Sequence, residues 1–251
     1  MWDLPLRAFH WLLVASIAGS WITAELGFEW MDVHFFLGYF TIGLLIFRII
    51  WGFVGPRHAR FSSFLTGPRG WIDYARSLRA KTPVYSVGHN PLGGLMVIVM
   101  LALVAVQAGT GLFVTDDIAF YGPYNPAVSG ETASFLTRIH HQNFNLILLA
   151  VALHVLAILY YVFVKRQNLV AAMLTGRKPA EWVPENEAIT SSQLGKALIV
   201  IAISAGAVRT IAARSISGFA EMYSQAGALS MLRRNITAEE VGAMGFALLT
   251  E

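Results

Sequence analysis

Residues 139–164 read IHHQNFNLILLAVALHVLAILYYVFV. The run holds no charged residue, and at about 1.5 Å per residue it is long enough to cross roughly 30 Å of hydrocarbon as a helix. His140 and His154 stand in it fourteen residues apart. Fourteen steps of about 100° bring them within roughly 40° of one face and about 21 Å apart along the axis. Histidine is rare in a span and marks a functional position facing the bundle interior. Two on one face predict two stacked sites for something that imidazole ligates.

Three earlier runs have the same character. Residues 8–24 are uncharged, 33–55 carry only Arg48, and 91–115 are interrupted mainly by Gln107. Water-free hydrocarbon admits only helices or closed barrels, and unbroken apolar runs select helices. The chain is 56% hydrophobic and 13% charged, about half the charge of a soluble domain. The expected fold is an all-α integral membrane four-helix bundle. The chain has no cysteine, which excludes disulfides, thiolate metal sites, iron–sulfur ligation and covalent haem attachment. Met1 to Arg7 does not read as a cleavable signal, because the apolar run after it is itself a span.

Basic residues set the expected orientation. Arg57, Arg60, Arg69, Arg76, Arg79 and Lys81 lie between the second and third runs, and Lys165, Arg166, Arg177 and Lys178 follow the fourth. The other loops hold Glu25, Glu29, Asp32, Asp116, Asp117 and Glu131 against Arg138 alone. The positive-inside rule puts the N-terminus and the basic loops in the cytoplasm. Trp2, Trp21, Trp30 and Trp51 fall where an interfacial aromatic belt would place them.

This topology pairs the histidines by depth. His10 lies near the cytoplasmic end of the first span and pairs with His154. His34 opens the second span on the outer side and pairs with His140. Any one of the four taken alone reads equally well as a hydrogen-bonded imidazole. His141 faces about 140° away from His154. His58 reads as a solvated loop residue, and His89 as a cap or turn at the third span. Zinc prefers four protein ligands, and the spans offer no Asp or Glu. Two axial histidines instead suit haem, whose porphyrin supplies four nitrogens. Gly19, Gly38, Gly43, Gly109 and Gly111 would let a macrocycle approach, or serve helix packing. Arg48 is a candidate partner for a haem propionate, with snorkelling to lipid headgroups as the alternative.

The stretch WDLPLRAFHW at 2–11 resembles the opening of bacterial four-helix di-haem cytochromes of the b-561 type, which include the b-type subunits of nickel–iron hydrogenases. His34-Phe35-Phe36-Leu37-Gly38-Tyr39 is similar to their second-span ligand motif. The cytoplasmic loop entry from Arg48 to Phe61, the start of the third helix at 88–94 and the ending at 176–178 fit as well. The resemblance covers about residues 1–180 and implies two b haems held by His10, His34, His140 and His154. It also implies electron exchange between a quinone, ubiquinone or menaquinone, and a periplasmic redox protein such as a hydrogenase, dehydrogenase or cytochrome c, in the bacterial inner membrane. The quinone would sit near His10 and His154. A homodimer is compatible with this reading. Lipid is the expected surrounding, and nucleic acid is not an expected partner. The alternatives are a stand-alone superoxide:quinone oxidoreductase and, in a different class, a His-lined metal transporter.

Residues 181–251 form an extension that departs from this pattern. The segments 203–213, 216–219 and 232–242 resemble the end of enoyl-acyl-carrier-protein reductases, without that family's glycine-rich fingerprint or its catalytic Tyr and Lys. No reductase activity is expected of it. Its apolar run, 197–208, is short for a crossing and predicts a partial fifth helix. Thr237 and Glu240 form a capping box for a last helix.

Overall fold

The computed structural model describes residues 2–78, 87–116, 120–179 and 183–229, excepting the side chains of residue 185 and of 214–229. The expected Arg79, Lys81 and Asp117, and the capping box of Thr237 and Glu240, lie outside the described residues.

The first helix, α1 (Leu4–Leu26), is started by Asp3, whose carboxylate accepts from the Leu6 amide, with a proline in the first turn. Gly27, at φ 82°, ends it in a conformation that favours glycine. α2 (Met31–Val54) returns beside it. A short amphipathic helix, α3 (Pro68–Ser77), follows in the basic loop. α4 (Pro91–Gly111) is capped by Asn90, whose side chain accepts from the Gly93 amide, with a proline at its start. α5 (Gly130–Phe163) is capped by Ser129, and α6 (Leu169–Thr175) closes on Gly176. α7 (Leu194–Leu229) ends the described chain.

Among the described residues five helices are long and apolar enough to cross a membrane: α1, α2 with the turn before it, α4, α5, and residues 194–213 of α7. Two boundaries differ from the sequence reading. α5 starts at Gly130, not at residue 139, so its 34 residues run about 51 Å and its first turns stand beyond the hydrocarbon. The fifth helix is also longer than its twelve-residue apolar core. The run reaches back to Leu194, and a helix continues through Arg209 without a break.

α1 packs along α2 and α4 along α5; α2 meets α4, and α7 lies along α2. Leu45, Val104 and Ile147 join the two hairpins mid-bundle. A second core gathers Trp2, Leu6, Phe9, Phe47 and Trp51 with Ala197 and Val200 of α7. It sits at the end carrying Arg57, Arg60, Lys165, Arg166 and Lys178, called here the basic end. Glu25, Glu29, Asp32 and Glu131 mark the opposite, acidic end.

The basic end is more enclosed than its sequence predicts. Trp51 is fully buried, stacked on Phe47 with centroids 5.6 Å apart, and donates from Nε1 to Asp3 Oδ1 at 3.0 Å. Trp2 is buried too, so of the four tryptophans only Trp21 and Trp30 are exposed as a belt would require. His58 is not solvated. It is buried, with Nε2 2.7 Å from the Glu187 carbonyl. The cause is the loop after α2, which folds back under the bundle so closely that a Cβ on Gly52 would collide with the Phe61 ring.

Candidate functional site

His34 on α2 and His140 on α5 face one another at the acidic end, with ring centroids 6.4 Å apart and planes 75° apart. Two imidazoles ligating one metal from opposite sides, each nitrogen about 2 Å from it, put their centroids roughly 6–6.5 Å apart. His34 Nδ1 lies 2.8 Å from the Ser20 carbonyl, and His140 Nδ1 lies 3.0 Å from the Gln107 carbonyl. A carbonyl only accepts, so each Nδ1 carries the proton and each Nε2 keeps a lone pair. Ligating histidines are oriented in this way by outer partners. Thr110 Oγ1 is 3.3 Å from His140 Nδ1. Asn143 donates to the Leu103 carbonyl at 2.9 Å and to Gln107 Oε1 at 2.8 Å.

At the other level His10 on α1 and His154 on α5 are close enough to interact electrostatically. His10 Nδ1 is buried without a hydrogen-bond partner. α1 and α5 are not among the closely packed helix pairs, so the space between them is bridged by side chains such as Trp21 and Phe144, with rings 5.9 Å apart. His141, exposed, stands edge-on to His140 at 6.0 Å and faces away from the His34 site.

The glycines divide by environment. A Cβ on Gly19 would press on Leu37 and one on Gly43 on Val208 of α7, which are packing roles; one on Gly111 would meet the His140 ring. Gly38 and Gly109 face open space. Arg48 does not snorkel. It is buried, donates to the Ala59 carbonyl at 3.2 Å and lies over the Phe61 ring at 4.6 Å. His89 does not cap α4, a role Asn90 takes; its ring lies against Trp2 at 4.7 Å and Phe64 at 4.6 Å. Tyr74, Tyr161 and Asn90 form a polar cluster at the basic end, with the two hydroxyls 2.8 Å apart and Asn90 donating to Tyr161 at 3.1 Å.

Among the described residues no three His, Asp or Glu side chains converge. Two imidazoles at each level would leave the remaining coordination to the ligand itself, a donor set that fits a porphyrin iron. The Gln107–Asn143 support of His140 was missed from sequence. Its signal was a polar side chain one turn from a histidine within an apolar run.

Residues 1–176 match the prokaryotic cytochrome b561 family. Residues 189–251 match the enoyl-(acyl carrier protein) reductase family, yet in this chain the first part of that segment is a helix built into the bundle. Curated relatives carry the name "Probable Ni/Fe-hydrogenase B-type cytochrome subunit". The one from Azotobacter vinelandii is 28% identical over 209 residues, covering 70% of this chain and 86% of the relative. That from Rhizobium leguminosarum bv. viciae is 24% identical over 211 residues, covering 71% and 87%. That from Rhodobacter capsulatus is 24% identical over 211 residues, covering 71% and 80%. No solved structure matches significantly. With the family match running from the first residue to the end of α6, and with histidines facing one another inside a bundle of apolar helices, the chain belongs to the prokaryotic cytochrome b561 family of membrane electron carriers that use haem b.

Proposed function

We propose that this chain carries electrons across the bacterial inner membrane through two b haems, between the quinone pool and a redox protein on the periplasmic side. His34 and His140 hold one haem, and His10 and His154 hold the other. The observation that carries the reading is the His34–His140 pair, 6.4 Å between centroids, with both Nδ1 atoms committed to backbone carbonyls. Those two hydrogen bonds fix the tautomer and leave each Nε2 a lone pair to ligate with.

Bound haem supplies one-electron iron chemistry. The chain supplies the ligands and the surroundings that tune its potential. Depth is set by the spacing of His140 and His154 on one helix. Water is excluded by the apolar spans. The carbonyls that accept from His34 and His140 Nδ1 tune the basicity of those rings. The basic loops argue for a cytoplasmic N-terminus by the positive-inside rule, which turns the acidic end to the periplasm. The relatives named as hydrogenase subunits support a hydrogenase as the partner there, and acidic loops favour a basic docking surface. Quinone exchange belongs at the basic end, beside His10 and His154, where the Tyr74–Tyr161–Asn90 cluster offers hydroxyl and amide groups.

A visible spectrum of the purified, dithionite-reduced chain, followed by a pyridine haemochrome count, tests the reading. Two b haems per chain are expected. A colourless protein from cells with ample haem would overturn it.

A further inference from the structure

Among the described residues four buried side-chain polar atoms lack a hydrogen-bond partner: Arg7 Nε, His10 Nδ1, His89 Nδ1 and Gln193 Oε1. All four lie at the basic end. An unmet buried donor or acceptor costs about 1–3 kcal/mol, so such a concentration points to a partner that the polypeptide itself does not provide. Three of the four are nitrogens. Arg7 Nε can only donate and an imidazole Nδ1 donates in one of its two tautomers, so an acceptor meets all three.

The geometry narrows its position. Arg7 and His10 are three residues apart on α1 and therefore share a face, with Arg7 one turn nearer the basic end. The other guanidinium arm of Arg7 is tied to the Leu174 carbonyl of α6, which holds Nε in place. Gly176, just past α6, leaves room for it: a Cβ there would lie 3.1 Å from Arg7 Nε. His89 approaches from the start of α4, held between Trp2 and Phe64, and interacts electrostatically with His154. The Lys178 ammonium stands beside them, donating to the Val87 carbonyl at 2.9 Å and lying 6.0 Å over the Trp2 ring. Asp3 is engaged elsewhere, with Leu6 and Trp51.

We propose that Arg7 and His89, with Lys178 behind them, form a carboxylate-binding site that receives the propionates of the haem held by His10 and His154. This rests on the reading given under Proposed function. It moves the propionate role from Arg48, which donates to the Ala59 carbonyl and lies over the Phe61 ring, to a residue one turn from His10. The two main members differ in what they bring. Burial, then the cations Arg48 and Lys178, push the His89 imidazole down to about 3, so it offers a neutral N–H. Arg7 offers charge. A cation near the propionates favours the reduced haem, because it offsets the added electron.

The test is a redox titration of the full-length chain followed in the visible spectrum, comparing wild type with Arg7→Leu, Arg7→Lys, His89→Leu and His89→Gln. The haem that disappears in His154→Ala identifies the affected site. Arg7→Leu is expected to make that haem harder to reduce by about tenfold in its reduction equilibrium, or 59 mV for one electron. His89→Leu has a smaller effect of the same sign, and the Lys and Gln variants recover most of each loss. The haem lost in His140→Ala stays at its wild-type potential. Selective loss of the first haem from a Leu variant supports the site equally. Two haems that shift together, are lost together, or do not respond overturn it. A wild type without haem instead overturns the reading on which it rests.

Discussion

Asn143 and Gln107 are joined across α5 and α4 by a 2.8 Å hydrogen bond from amide to amide oxygen, while the Gln107 backbone carbonyl accepts from His140 Nδ1 at 3.0 Å. Asn143 is buried and also holds the Leu103 carbonyl. One polar residue thus fixes the register of two helices at the level where an imidazole must be aimed.

Asn143→Leu keeps the volume and removes both donations. Interhelical hydrogen bonds in membranes contribute about 1 kcal/mol, so a modest fall in the temperature of haem release is expected. The sharper readout is the redox titration. The haem assigned to His34 and His140 should change potential while the other keeps its own, because the α4–α5 contact that sets the Gln107 backbone carbonyl against His140 loses both hydrogen bonds from Asn143. Equal shifts in both would contradict a local role for Asn143.

Replacing His154 with alanine separates the two levels. It removes one imidazole of the proposed pair nearer the basic end and leaves His34, His140 and their carbonyl partners untouched. One haem per chain should remain, counted as pyridine haemochrome. His141→Ala should retain two, since that ring is exposed and turned away from His34. A His154 variant with two full equivalents would break the assignment.

Much of this arrangement was legible in the sequence. Four spans announce themselves because hydrocarbon tolerates few charges, and depth alone paired His10 with His154 and His34 with His140. What stayed hidden depends on contacts between distant segments. Trp51 and Arg48 read as interfacial residues until the 56–66 loop folds back over them. His58 is buried by Glu187, more than a hundred residues away. α5 begins at Gly130 because Ser129 caps it, although its first turns are too polar to read as span. α7 hides its length because Arg209 interrupts the apolar run, and the end of a span tolerates a charge that can reach the interface.

Asp3 gives a pH dependence with a defined sign. Burial raises its carboxyl above the usual value, opposed by hydrogen bonds from Leu6 and Trp51 and by the charge of Arg48. A carboxyl raised on folding stabilises most when protonated. Its contribution is complete below about pH 4 and is lost as pH rises through the folded value. Asp3→Asn cannot ionise, so its thermal midpoint relative to wild type should improve steadily from about pH 4 toward neutrality. A constant difference across that range would show that the carboxyl is not raised.

The fifth helix can be tested without touching any histidine. Ala197 is only 3% exposed and packs into the cluster of Trp2, Leu6, Phe47 and Trp51. Lys196 donates to the Val54 carbonyl at 3.0 Å, and Ser192 accepts from the Leu4 amide at 3.2 Å, so α7 is fastened where α1 begins and α2 ends. Ala197→Phe has no space to enter, and overpacking of this kind costs about 1–3 kcal/mol. The thermal midpoint should fall, while haem content stays at wild type, because α7 contributes no imidazole and packs on α2 and α1. A variant that keeps its stability would detach α7 from the bundle. One that loses haem before it unfolds would make α7 a wall of the binding site.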